Sequence, residues 1–168
     1  MSTLTGRKGT VILGIDPGVA RTGYGVVLKK GSSLTALSYG CITTKKETAL
    51  HLRYLEIYHT VEKIIRKTKP QALALEQLFF AKNVKTALTV SEARGVVLLL
   101  AGKHGLPVFE FTPLQVKQAL TGFGRADKTQ VQKMVKIVLG LQDVPRPDDT
   151  ADALAIALCA HQYRPLAS

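Results

Sequence analysis

The period of the hydrophobic positions changes several times along the chain. Three short runs come first, residues 11–15, 24–29 and 34–43, each β-rich or alternating and each bounded by Gly, Ser or Pro. Between them, Pro17-Gly18 and Lys30-Gly31-Ser32-Ser33 read as tight turns, so the spacing predicts an antiparallel meander. From about Glu47 to Lys67 the period becomes 3.6. Leu50, Tyr54, Ile57, Val61, Ile64 and Ile65 fall on one stripe, and Lys63, Arg66 and Lys67 crowd the last turn, where the helix dipole favours cations. Pro70 stops this helix. Residues 71–75, QALAL, then read as a fourth strand buried on both faces.

A second long helix is predicted over 84–103, with a face of small residues (Ala87, Ser91, Gly95) suited to close packing against another helix. Residues 108–112 form the fifth predicted strand. Pro113 takes the first position of a short helix reaching Leu120, where its missing N–H costs nothing. A glycine-bearing loop, TGFGRA over 121–126, leads to a helix over 128–139 with Asp127 as its N-cap. After the proline-rich QDVPRP comes a last helix, 149–162. Three strands and a helix, followed by alternating strands and helices, predict an α/β layer fold with a five-stranded mixed sheet flanked by helices. At 168 residues, with no internal repeat or linker, the expectation is a flexible tail over 1–9 and a single domain over 10–165.

Charged residues stand where this pattern does not ask for them. Asp16 ends the run VILGI, and Glu76 ends ALAL. In α/β folds, sites gather at strand ends, where a rigid backbone meets solvent. The third acidic feature, Asp148-Asp149-Thr150-Ala151-Asp152, opens an otherwise apolar helix. There Asp149 and Asp152 share a face, and an unpaired Asp152 would cost several kcal/mol, so it needs a cation. Acids at a helix start also serve as ordinary caps, and strand-end acids as turn residues. Against those readings stands the balance of the whole chain: 23 Lys and Arg against 12 Asp and Glu, a net charge of +11. A basic protein suits a polyanion, nucleic acid before membrane because no basic amphipathic helix with an aromatic face is evident. Acids concentrated in such a protein suit a hard divalent cation, Mg²⁺ or Mn²⁺. Two such ions about 4 Å apart support in-line attack of water on a phosphodiester.

The remaining composition narrows the setting. No apolar run approaches the roughly 18 residues of a membrane span, and no signal peptide is evident. Cys41 and Cys159, far apart and without metal spacing, read as reduced, buried thiols of a cytoplasmic protein. The four histidines form no zinc pattern.

ILGIDPG with TGYG, then LALEQLFFAKN, then DDTADALAIA, together resemble the RuvC family of Holliday-junction resolvases, bacterial nucleases with a ribonuclease H-like fold. The first motif is shared with actin-like ATPases and sugar kinases; the other two, in this order, are far more specific. The resemblance implies that Asp16, Glu76, Asp149 and Asp152 are catalytic, metal-binding carboxylates. It implies DNA-binding roles for Phe79, stacked on unpaired bases at the junction centre, and for Lys117 and Lys128 near the scissile phosphate. Arg125, in the glycine loop between those lysines, is a further candidate for a phosphate contact. Paired nicks with ligatable 5′-phosphates, a Mg²⁺ cofactor with Mn²⁺ as substitute, a homodimer and a branch-migration motor as partner follow from the same resemblance. The small-residue helix around Ala87 to Gly95 is the candidate dimer interface.

Three alternatives stay open at this point. A ribonuclease H-like nuclease acting on RNA–DNA hybrid or simpler flaps would share fold and metal chemistry. A junction-binding protein without catalysis sits poorly with four retained acids. An actin-like phosphotransferase usually needs a second such domain and glycine-rich phosphate loops, and no Walker-type motif is present.

Overall fold

The computed structural model describes residues 9–78 and 84–163. Its sheet has the order β3-β2-β1-β4-β5, built from β1 (Thr10–Asp16), β2 (Arg21–Lys30), β3 (Ser33–Thr43), β4 (Ala72–Glu76) and β5 (Val108–Phe111). The first three strands pair antiparallel as the meander the turns predicted, while β4 and β5 join β1 in parallel. The sheet is therefore mixed and five-stranded. Helix α1 (Leu50–Thr68) returns the chain to β4, and α2 (Val84–Lys103) crosses from β4 to β5.

Both faces of the sheet are covered. Ile12, Val27, Ala72 and Ala74 pack in one cluster with α3 (Pro113–Thr121), α4 (Lys128–Val138) and α5 (Asp148–Tyr163). Leu13, Ile15, Val26, Leu73 and Leu75 pack in a second cluster with α1 and α2. Ile12, Leu13, Ile15, Leu73 and Leu75 are 0% exposed, and each contributes roughly 1.5–3 kcal/mol by leaving water. Side chains alternate along a strand. Asp16 therefore falls on the face of Ile12, Glu76 on the face of Ala72 and Ala74, and both acids belong to the side covered by α5.

Boundaries differ from the periodicity where backbone bonding intervenes. Strand β2 begins at Arg21 rather than Tyr24, because Thr22 and Gly23 are paired with β3 and Gly23 also with Asp16. Helix α1 begins at Leu50 rather than Glu47: its N-cap, Ala49, offers no side-chain bond, and Thr48 N–H donates to Lys45 O in a preceding turn. Leu50 is exposed, and the buried part of the stripe is Ile57, Val61 and Ile65. Helix α1 ends with Lys69 in the left-handed conformation, just before Pro70. Strand β5 stops at Phe111, since Thr112 is the N-cap of α3 in a reciprocal capping box with Gln115. Asp127 caps α4 in the same way with Gln130, as expected. Of the two thiols, Cys159 is buried, but Cys41 is only half-buried because it lies on the outermost strand. No helix among the described residues is long and apolar enough to cross a membrane.

Candidate active site

Helix α5 is apolar nearly all round, with Ala151, Ala153 to Ala160 and His161 buried, so it lies inside the molecule rather than on it. Its approach to the sheet is set by glycines. A Cβ on Gly14 would stand 2.2 Å from Ala153 O, one on Gly23 would stand 1.9 Å from Asp149 O, and one on Gly25 would stand 2.7 Å from the Leu154 side chain. Gly14 and Gly25 are paired across β1 and β2, and Gly23 is paired with Asp16. The three glycines form a floor on which the first two turns of α5 rest, directly beside the strand end that carries Asp16.

Asp16 is itself fixed by the turn that follows it. Thr22, fully buried, donates its hydroxyl to Gly18 O at 2.6 Å. Thr44 donates to Val19 O at 2.6 Å, and its amide donates to Ala20 O at 3.1 Å. Arg53 of α1 in turn donates to the Thr44 hydroxyl at 2.8 Å. Strand register brings Glu76 alongside: β1 and β4 pair as far as Ile15 with Leu75, and the next step along each strand is an acid. Asp149 and Asp152 reach the same place from the first turns of α5.

The electrostatics record this convergence. Burial, followed by the charges of Asp152, Asp149 and Glu76, pushes the Asp16 carboxyl up to about 7. Burial and then Asp152 also raise Glu76, against the opposing fields of Lys117 and Lys128. Asp152 is raised chiefly by burial, which outweighs the hydrogen bond and charge of Lys128. Carboxylates that raise one another in this way are held closer than they would settle unaided, and a bound cation relieves them.

Two of the four already hold cations of the chain itself. Lys128 Nζ lies 3.0 Å from Asp152 Oδ2 and 3.4 Å from Asp148 Oδ2, meeting the expectation that Asp152 needs a positive partner. Burial alone would lower the Lys128 ammonium, but Asp152 and Asp148 outweigh it and raise it. Arg21 Nε stands 3.3 Å from Asp149 Oδ2, and that oxygen is otherwise buried without a hydrogen-bond partner. Among the described residues, no three acid, histidine or cysteine side chains are drawn into one coordination group. With Asp149 turned to Arg21 and Asp152 to Lys128, the donor set suits a hard divalent cation in chemistry and location, and its side chains would still have to close on it.

Asp148 has a different part. It accepts from Gln132 at 3.1 Å and from Arg146 at 2.8 Å, and lies beside Lys128. The Gln132 bond, with those two cations, holds it below the usual carboxylate range against burial. It ties α4 to the start of α5 and keeps Lys128 in place, apart from the raised Asp16, Glu76 and Asp152. Glu76, Lys117, Lys128 and Asp152 line one cavity of about 250 Å³, with Pro113, Val116, Val131 and Ala155 as its apolar wall. Arg125 is exposed on the loop between α3 and α4 and does not line that cavity. Phe79, and the adjacent Phe80, lie outside the described residues, as does the tail before Gly9.

Sequence reasoning missed Arg21, the threonine braces, Gln132 and the glycine floor. The floor had a signal in TGYG: two glycines at period two on a strand mark a place where another backbone comes close.

Comparison with known proteins agrees with this picture. Residues 12–161 match the family model described as crossover junction endodeoxyribonuclease RuvC. The crossover junction endodeoxyribonuclease RuvC of Desulfitobacterium hafniense is 56% identical over 149 residues, covering 89% of this chain and 90% of its own. That of Ruminiclostridium cellulolyticum is 54% identical over the same shares of both chains. The structure of Thermus thermophilus RuvC in complex with a Holliday junction substrate aligns with a TM-score of 0.87 at 39% identity, covering 92% of this chain and 94% of that one. The yeast mitochondrial Holliday junction resolvase aligns with a TM-score of 0.64 at 16% identity over 89% of this chain and 77% of its own, a likeness of fold alone. The sheet order, the buried α5 and these alignments make the fold ribonuclease H-like. On motif, fold and relatives together, the chain belongs to the RuvC family of crossover junction endodeoxyribonucleases.

Proposed function

We infer that the chain resolves four-way DNA junctions by paired, symmetric nicks, and that Asp16, Glu76, Asp149 and Asp152 hold the divalent metal this hydrolysis uses. The observation that carries the site assignment is the convergence of Asp16, Glu76 and Asp152, half-buried at the ends of β1, β4 and α5, where desolvation and neighbouring carboxylates raise all three. Mg²⁺ is the proposed ion, with Mn²⁺ as a substitute and two ions per site as the expected number. Bound there, it supplies an activated water and neutralises charge on the phosphate. In the proposed hydrolysis a water oxygen bonds to phosphorus as the P–O3′ bond breaks, O3′ leaves with a proton from that water, and the product keeps a 5′-phosphate that a ligase can seal.

The chain's own cations complete the site. Lys117 and Lys128 line the cavity with Glu76 and Asp152, so a phosphate seated among them meets positive charge as its own charge grows in the transition state. Were Asp152 to hold the metal in place of Lys128, the ammonium now 3.0 Å from its carboxylate would be left for the phosphate. Arg125 and Phe79 are proposed as contacts farther along the DNA, Phe79 by stacking on unpaired bases.

Two symmetric cuts call for two sites, and a homodimer supplies them. The open face of α2 supports this: Leu88 and Leu99 are 59% and 64% exposed, and nothing lies within 4 Å of a Cβ placed on Gly95. A domain over 10–165 acting in the cytoplasm with a branch-migration motor is the wider setting proposed.

Cleavage of a synthetic four-way junction beside linear duplex and an RNA–DNA hybrid tests the substrate. Paired nicks confined to the junction and abolished by EDTA are expected; cutting of the hybrid in preference would keep the fold and overturn the substrate.

A further inference from the structure

Helix α2 lies on the face of the sheet opposite α5, so its side chains do not line the cavity that holds Glu76 and Asp152. One of them nevertheless reaches the strand end that carries Glu76. Arg94, with only 10% of its side chain exposed, donates from Nη1 to the backbone carbonyl of Glu76 at 3.0 Å. Its Nη2 pairs with Glu110 Oε1 on β5 at 2.5 Å.

A buried guanidinium is costly unless it is both paired and hydrogen-bonded. Here the charge is met by Glu110, and the other arm of the fork goes to a main-chain carbonyl of a site residue. That carbonyl lies where the ladder runs out: β1 and β4 pair only as far as Ile15 with Leu75. On the other side the next amide, Gln77 N–H, is held by Phe111 O at 2.8 Å. That amide and the Glu76 carbonyl are the two ends of one peptide, so Phe111 holds its N–H end and Arg94 its C=O end; without Arg94 a single hydrogen bond is left to fix the main chain from which the Glu76 side chain springs.

We propose that Arg94 is a positioning residue for metal binding: by holding the Glu76 carbonyl from the far face of the sheet and anchoring on Glu110, it fixes the Glu76 carboxylate toward Asp16 and Asp152. This rests on the assignment of Glu76 as a metal ligand. Arg94 touches neither substrate nor metal. Its planar fork is what serves two partners at fixed angles, and a lysine serves one.

The test is calorimetric titration of Mn²⁺ into the full chain, with thermal melts and junction affinity in EDTA measured on the same samples. Outer residues that orient metal ligands typically alter metal affinity by about 10–100-fold. Arg94→Met is expected to weaken Mn²⁺ binding by that amount and to lower kcat, with junction affinity in EDTA and KM unchanged. Glu110→Gln, which keeps an acceptor for Nη2 and leaves the Glu76 contact in place, is expected to hold Mn²⁺ affinity. If Arg94→Met does not fold, Arg94→Lys keeps the charge while losing the double contact, and the same loss of Mn²⁺ affinity is expected in a folded protein. Folded Arg94 variants that bind Mn²⁺ as the wild type does, whatever their melting temperature, would overturn the proposal. Glu76→Gln separates the two levels: if it leaves Mn²⁺ affinity unchanged, the assignment of Glu76 itself falls. If it weakens binding while the Arg94 variants do not, only the role of Arg94 falls.

Discussion

At the residue scale, the candidate site brings four carboxylates together and raises three of them, Asp16, Glu76 and Asp152, and the clearest consequence is a dependence of stability on pH. Asp16 has an ordinary carboxyl pKa when the chain is unfolded and one of about 7 when it is folded. A folded pKa above the unfolded one means that the native state binds the proton more tightly between those values. The metal-free protein therefore loses stability as pH rises from about 4 through about 7, by up to about 4 kcal/mol from this group alone. Glu76 and Asp152 shift in the same direction and add to it. Melts in EDTA should show the melting temperature falling across that window, and Asp16→Asn should flatten the slope and raise the melting temperature at pH 8. A metal-free stability that climbs toward pH 8 would contradict the arrangement.

What could be read at this scale was the identity of the acids, because a strand that ends in a carboxylate and a buried helix that begins with one are visible in a linear pattern. Their partners were not visible. Arg21 is close to Asp149 only because Gly23 brings β2 against the first turn of α5, and Arg94 finds Glu76 only across the sheet. Both are long-range contacts made by residues that look like ordinary surface charges in the sequence.

At the element scale, α5 is positioned by glycines, and two substitutions of the same kind should behave oppositely. Gly23→Ala puts a methyl group against Asp149 O, which must move. A cost of about 1–3 kcal/mol is expected, as for overpacking in a core, together with a loss of cleavage larger than the loss of folded protein explains. Gly95→Ala on the open face of α2 meets nothing within 4 Å. There the gain in helix propensity is about 0.5–1 kcal/mol. Denaturant titrations of both variants, with cleavage measured in parallel, check the pair.

The elements themselves were largely legible. Hairpin turns, the 3.6-residue stripe of α1, and Pro113 and Asp127 at helix starts are local signals, and the structure keeps them except at Leu50, which the stripe included and which is exposed. The misplaced ends were set by bonds to distant residues. Strand β2 begins at Arg21 because β3 pairs with it there, whereas the local pattern starts the run only at Tyr24.

At the scale of the molecule, a net charge of +11 coexists with a buried acidic centre. Junction affinity should fall steeply with salt, linearly in logarithmic coordinates, because each phosphate neutralised releases counterions. The metal site should be less affected. Assembly is the other property at this scale. If the exposed face of α2 is the dimer interface, Leu99→Asp should sediment as a folded monomer and leave junctions with single, uncoupled nicks; a variant that remains a dimer would place the interface elsewhere. The sequence marked this helix by its small residues, and its exposed leucines became apparent only with the fold.

The most direct test of the central assignment is cleavage started by Mg²⁺ from preformed complexes of the protein with a four-way junction, comparing wild type with Asp16→Asn. Equal junction affinity in EDTA, with paired nicks from the wild type and none from Asp16→Asn, is the predicted result. Cleavage by Asp16→Asn at the wild-type rate would contradict it, since the carboxylate at the end of β1 would then have no part in the chemistry.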